Sequence, residues 1–201
     1  MPDQGEATPS VLTEAADQLV RLLLAAPEVA PGLVPGRRVL AVEGRSGAGK
    51  SAIARIVHDR LTAEGWPVTA VSMDELYPGW DGLEAGVDLL LDGVLVPFTR
   101  GAPEVLVRRW DWQGGRPGAV EHRAAGRLLV VEGVGCGARR CAPHLSVLAW
   151  LEAPDAARKA RALARDGRAY APHWDRWAAQ EVEHYDRQRT RERSDTILVL
   201  P

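Results

Sequence analysis

The chain has 201 residues, 46% hydrophobic and 26% charged, the make-up of a soluble globular domain long enough to bury a sizeable core. A formal net charge of −2 provides no basic footprint for nucleic acid. Its apolar runs fall short of a membrane span, no basic-then-apolar leader opens it, and Cys136 and Cys141 suit neither a disulfide framework nor a zinc site. The expectation is a cytoplasmic protein with neither nucleic acid nor membrane as partner.

Thr13 to Ala26 predicts an amphipathic helix, with Leu12, Ala16, Leu19, Leu23 and Ala26 on one stripe and Pro27 as its stop. Pro27 to Gly36 is a Pro-rich connector, so residues 1–36 divide from a main domain over 37–201 within one globular unit. Val39 to Glu43 predicts a strand, followed by Gly44-Arg45-Ser46-Gly47-Ala48-Gly49-Lys50-Ser51 and then a helix from Ala52 to Leu61. Strand, Gly-rich loop and helix in that order form a P-loop. Its glycines let the backbone turn tightly and aim N–H groups at phosphate oxygens, and the helix N-terminus adds positive field. Lys50, one of only two lysines in the chain, is placed to reach the β- and γ-phosphates, and the Ser51 hydroxyl to ligate Mg²⁺. Gly44 through Ala52 is thus the predicted ATP site.

Val68 to Ser72 predicts a second strand, Met73 to Gly82 a loop, and Leu83 to Val96 a helix buried through Leu83, Val87, Leu90, Leu91, Val94 and Leu95. Val105 to Val107 reads as a short edge strand or loop segment and Gln113 to Gly126 as a glycine-rich loop. Leu128 to Val131, closed by Glu132-Gly133, and Ser146 to Leu151 are apolar strands. A helix runs from Asp155 to Arg165, a break spans Gly167 to Pro172, a long polar helix follows from His173 to Arg193, and Thr196 to Leu200 is a last strand. Five apolar strands alternating with helices predict an α/β three-layer sandwich, a five-stranded parallel sheet with helices on both faces.

In such a sheet ligands sit at the carboxyl ends of the strands. Asp74 follows the second strand and Glu132 the third of the five; a carboxylate there holds Mg²⁺ or accepts a proton from an attacking hydroxyl. The neighbouring Glu75 reads as a solvated loop acid. Arg165 and Arg168 are candidates to neutralise a transferring phosphoryl group, with Arg161 one turn earlier on the same side. Tyr77 and Trp80 flank Asp74. Trp110 and Trp112 share one face of an extended segment, with Asp111 pointing the other way. Trp174 and Trp177 read as core, and Glu181 on their stripe has no assigned role.

Several of these segments resemble the uridine kinase family of P-loop small-molecule kinases, which includes phosphoribulokinase and pantothenate kinase relatives. The match runs from Val39 to Pro201. Val71-Ser72-Met73-Asp74-Glu75-Leu76-Tyr77 is similar to the family's S-x-D-x-F-Y segment, which implies that Asp74 is the general base on the acceptor hydroxyl. Trp80-Asp81 resembles the aromatic-Asp pair that binds ribose hydroxyls, and Arg109-Trp110-Asp111-Trp112 the P-x-Y-D-F segment lining the nucleoside site. Val130-Val131-Glu132-Gly133 resembles the strand-end V-x-E-G. Arg165-Asp166 with Arg168 resembles a lid, here about residues 165–172, and Ser194 to Leu198 the terminal A-D-x-I-I strand.

The resemblance implies an ATP- and Mg²⁺-dependent phosphotransferase acting on a small-molecule hydroxyl, with Lys50, Asp74, Arg165 and Arg168 catalytic. Ser51, Glu132 and Asp74 are then its metal-side residues. Tyr77, Trp80, Asp81, Trp110, Asp111 and Trp112 are its acceptor-side residues. Gln113-Gly114-Gly115-Arg116 stands where the family carries a pyrimidine-contacting histidine, so the acceptor is open among nucleosides, pantothenate-like alcohols and sugars. A nucleotide kinase and an ATP-binding regulatory module are the alternatives, and monomer and homodimer are both open.

Overall fold

The computed structural model describes residues 9–29 and 34–201, without the side chains of residues 9, 10, 165, 166, 168 and 169. Part of the expected connector, residues 30–33, lies outside the described residues, as do residues 1–8.

The strands are β1 (Arg38–Glu43), β2 (Val68–Ser72), β3 (Glu104–Asp111), β4 (Arg116–Ala124), β5 (Leu128–Glu132), β6 (Val147–Glu152) and β7 (Thr196–Val199). The helices are α1 (Pro9–Ala25), α2 (Lys50–Ala63), α3 (Leu83–Leu90), α4 (Val96–Thr99), α5 (Asp155–Tyr170), α6 (Trp174–Gln188) and α7 (Thr190–Arg193). Five strands form one parallel sheet in the order β2-β5-β1-β6-β7. Strand alternation splits their apolar side chains between two cores. Leu40, Val42, Leu128 and Val130 pack beneath α1 and α2, whereas Val39, Ala41, Leu129 and Val131 pack against α3 and the segments beyond it. The connection after β1 runs to β2 at one edge, while the connection after β5 crosses to β6 on the other side of β1, so the loops after β1 and β5 flank the crevice where ligands collect.

Three sequence expectations need correction. The stretch read as edge segment plus loop is an antiparallel hairpin, paired from Glu104↔Ala124 to Asp111↔Arg116 with an irregularity between Arg108 and Trp110. Buried Val105 and Val107 anchor β3, but β4 is exposed along most of its length and has no apolar alternation to reveal it. The helix expected over Leu83–Val96 ends at Leu90, passes through a π-helical turn at Leu91–Leu95 and resumes to Thr99. The long last helix is two, because Arg189 adopts φ 51° between α6 and α7. The expected break at Gly167 is present as a non-helical residue (φ 51°, ψ −129°) inside α5. Among the described residues no helix is long and apolar enough to cross a membrane.

The hairpin is tied to the open edge of the sheet. Thr69 Oγ1 donates to Ala124 O at 2.8 Å, and Arg123 Nη1 donates to Ala70 O at 2.9 Å, which satisfies a carbonyl on the edge strand β2.

Candidate active site

The P-loop joins β1 to α2, and its backbone hydrogen bonds follow a pattern. The amides of Gly44, Ser46 and Ala48 donate to Glu43 Oε1 (3.2 Å), Glu181 Oε1 (2.9 Å) and Arg45 O (3.1 Å). The amides of Gly47, Gly49, Lys50 and Ser51 have no protein acceptor among the described residues. Unpaired N–H groups at a helix start form an anion site. Gly47 has φ +79°, and a Cβ there would sit 2.1 Å from Arg158 O, so only glycine fits. Buried Lys50 donates through Nζ to Gly44 O (2.7 Å) and Arg45 O (3.1 Å), which holds its ammonium at the loop.

Opposite the loop stand two carboxylates. Glu132, at the end of β5 and 8% exposed, accepts from Ser72 Oγ at 2.6 Å. Burial, then the charge of Asp74, pushes its pKa up; hydrogen bonds from Ser72 and Ser51 and the charge of Lys50 oppose the rise. Asp74 sits on a 3-10 turn, Met73–Glu75, closed by a capping box in which Asp74 N donates to Ser72 Oγ and Ser72 N to Glu75 Oε1. Gly49, Lys50, Ser51, Asp74, Glu132 and Arg161 line one cleft of ≈ 220 Å³. Two carboxylates and a hydroxyl facing unpaired amides fit Mg²⁺, which binds through one or two carboxylates plus phosphate and water oxygens.

Arg161 is the cation in this cleft whose side chain the structure describes beside Lys50. Its Nη1 donates to Pro201 O at 3.1 Å, while Nε and Nη2 are buried without a partner among the described residues. Burial, and then Arg158, holds its pKa below the usual arginine value. Such donors are poised for an anion. The backbone of Arg165 and Arg168 continues along α5, and their side chains lie outside the described residues.

The expected acceptor residues divide. Trp80 and Trp112 meet at 4.8 Å between ring centroids, and Trp112 Nε1 donates to Asp74 O at 2.9 Å, which brings both beside the Asp74 turn. The Trp80 ring also stacks on His173 (4.4 Å) and Tyr170 (5.3 Å) from the lid side. Trp110 is half-buried in the hairpin. Tyr77 instead belongs to the core: it is 2% exposed, donates to Val134 O at 2.7 Å and meets Trp177 edge-on at 4.7 Å. Asp111 caps the hairpin turn by accepting from Gln113 N (3.1 Å) and Gly114 N (2.9 Å), contacts that hold its carboxyl below the usual range. Asp81 pairs with Arg176 on α6. Glu75, read as solvated, is part of an ion-pair network with Arg123 (2.5 Å) and Arg109 (3.5 Å), because the unforeseen hairpin lies over it.

Two acids with no role assigned from sequence complete the frame. Glu43 is fully buried and accepts from Gly44 N, Gly135 N, Gly137 N and Tyr185 Oη, binding the ends of β1 and β5 to α6. Glu181 accepts from the P-loop. The available signal was an acid closing an otherwise apolar strand, and another on an aromatic helix stripe; both need the fold to acquire partners.

No family model and no curated protein matches the chain. Solved structures do. A possible uridine kinase from Bacillus stearothermophilus is 17% identical with a TM-score of 0.67, covering 93% of this chain and 98% of its own. A candidate fructose transport system kinase from Silicibacter sp. is 20% identical with a TM-score of 0.55, covering 92% and 98%. The chain is therefore similar in fold to P-loop kinases over nearly its whole length.

Proposed function

We propose that this chain is an ATP- and Mg²⁺-dependent phosphotransferase that moves the γ-phosphoryl group to a hydroxyl of a small molecule. The observation that carries the reading is the single cleft in which the P-loop, Lys50 and Arg161 face Asp74 and Glu132. The unpaired loop amides and Lys50 bind the β- and γ-phosphates. Ser51, Glu132 and Asp74 are the residues that would hold Mg²⁺, whose bound charge offsets that of the phosphates. Asp74 orients the acceptor hydroxyl and takes its proton. Arg161 offers its Nε and Nη2 to the equatorial oxygens, with Arg165 and Arg168 added from the lid. Trp80 and Trp112 bound the acceptor side, where Asp81 and Trp110 stand nearby.

A hydroxyl acceptor suits the site better than a phosphate acceptor. The arginines around the acceptor side are engaged: Arg109 with Glu121, Arg116 with Asp111, Arg123 with Glu75, and Arg176 with Asp81. A nucleotide kinase needs such cations for its acceptor phosphate.

The test is ADP release with ATP and Mg²⁺ against nucleosides, sugars, pantothenate-like alcohols and nucleoside monophosphates, in wild type and Asp74→Asn. Acceptor-stimulated release in the wild type, lost in the variant with ATP binding intact, is the expected result. Turnover that survives Asp74→Asn defeats the base assignment. Binding of ATP with no stimulation by any acceptor class favours a regulatory module.

A further inference from the structure

Helix α6 grips both halves of the cleft. On the donor side, Glu181, 1% exposed, accepts from Ser46 N (2.9 Å), Arg45 Nε (3.3 Å) and Trp177 Nε1 (3.1 Å). Two of these donors belong to the P-loop itself, and the Trp177 indole also lies 3.1 Å from Ser46 Oγ. On the acceptor side, Gln180 Nε2 donates to Trp80 O at 2.7 Å and Arg176 pairs with Asp81, while Trp177 packs on Tyr77 in the core. The chain enters α6 from the lid through His173, whose ring lies parallel to Trp80. A buried carboxylate is costly unless it is hydrogen-bonded, and the partners here are the triphosphate loop.

We infer that Glu181 is a positioning residue for the phosphoryl donor, acting through Ser46 and Arg45. By accepting the Ser46 amide it fixes that peptide away from the nucleotide, in the loop shape that leaves the amides of Gly47, Gly49, Lys50 and Ser51 unpaired. Arg45 neutralises the carboxylate, so the acid does not repel the triphosphate whose loop it holds. The same helix carries the contacts to Trp80 and Asp81, so donor-loop shape and acceptor-loop position share one rigid element. The inference rests on the reading that the loop binds ATP.

The experiment is equilibrium binding of ATP and of AMP to wild type, Glu181→Gln and Glu181→Ala. Losing a hydrogen bond to a charged group predicts about tenfold weaker ATP binding for Glu181→Ala. AMP, which lacks the β- and γ-phosphates, keeps its affinity. Glu181→Gln retains an oxygen for Ser46 N–H and restores ATP affinity to within about threefold of wild type. If Glu181→Ala fails to fold, Glu181→Met preserves side-chain length without the acceptor, and carries the same expectation. Unchanged ATP affinity in the Ala or Met variant overturns the inference, as does an equal loss for AMP or a Gln variant as weak as Ala. A wild type that binds no ATP has a different signature: it removes the phosphotransferase reading, and this inference with it.

Discussion

The Trp112 indole donates to the backbone carbonyl of Asp74 at 2.9 Å, so the tip of an exposed hairpin holds the turn that presents the proposed base. The ion pairs from Arg109 and Arg123 to Glu75 secure the next residue of the same turn. Trp112→Phe keeps a smaller aromatic ring against Trp80 and removes the donor. One neutral hydrogen bond predicts a fall in kcat of about three- to tenfold. ATP affinity stays unchanged, because the P-loop is untouched. Steady-state kinetics with both substrates varied read the split.

Arg161 lines the cleft, and its buried Nε and Nη2 have no partner among the described residues, an arrangement that costs folding free energy and suits an anion. Arg161→Met is expected to leave Tm unchanged or higher while kcat falls by roughly 10²–10³-fold, the scale for a lost charge-stabilising donor. Arg161→Lys restores only part of the rate, since an ammonium lacks the planar fork. Thermal melts beside turnover decide whether the residue serves the fold or the reaction.

Glu132 has its pKa raised by burial and by Asp74. A carboxyl whose folded pKa is raised favours the native state below its ordinary value, near 4.5, and that advantage is lost as pH rises through the folded pKa. Stability therefore falls as pH rises and Glu132 gives up its proton. Glu132→Gln mimics the protonated form, so its Tm should exceed the wild-type Tm near neutrality, with the gap closing in acid. Mg²⁺-dependent turnover should drop by roughly 10²-fold or more. Melts across pH read the first expectation and ADP release the second. A gap that widens in acid reverses the sign and excludes the account.

Gly47→Ala puts a Cβ 2.1 Å from Arg158 O at φ +79°. The backbone conformation alone costs about 1–2 kcal/mol, and the collision forces the loop away from α5. Loss of ATP binding with a lowered denaturation midpoint is expected. Isothermal titration and a urea melt measure the two.

Much of the donor half was legible along the chain because its determinants are local. Val39 to Glu43, the glycines, Lys50 and Ser51 are consecutive, and a strand–loop–helix unit needs no distant partner to be recognised. The five parallel strands were legible for a related reason: strands buried on both faces are apolar throughout. The hairpin was hidden because β4 faces solvent, and its pairing with β3 is a long-range choice that leaves no period-2 pattern. Glu75 is hidden for the same reason, since its arginine partners sit on that hairpin.

The acceptor half depended on side-chain direction. Trp80 and Tyr77 are three residues apart in one loop, yet one faces the lid and the other fills the core. Asp111 lies in the tryptophan-flanked segment, and its oxygens are taken by a turn that only the folded hairpin creates. The sequence by itself determined that a P-loop motif ends the first strand and that acids follow two of the other strands. Only the tertiary structure decided that Arg161 enters the same cleft, that Trp112 braces Asp74, and that Glu181, 135 residues beyond Ser46, holds its amide. Local hydrogen-bond and packing rules act over a few residues, whereas a buried charge finds its partner only when the core closes around it.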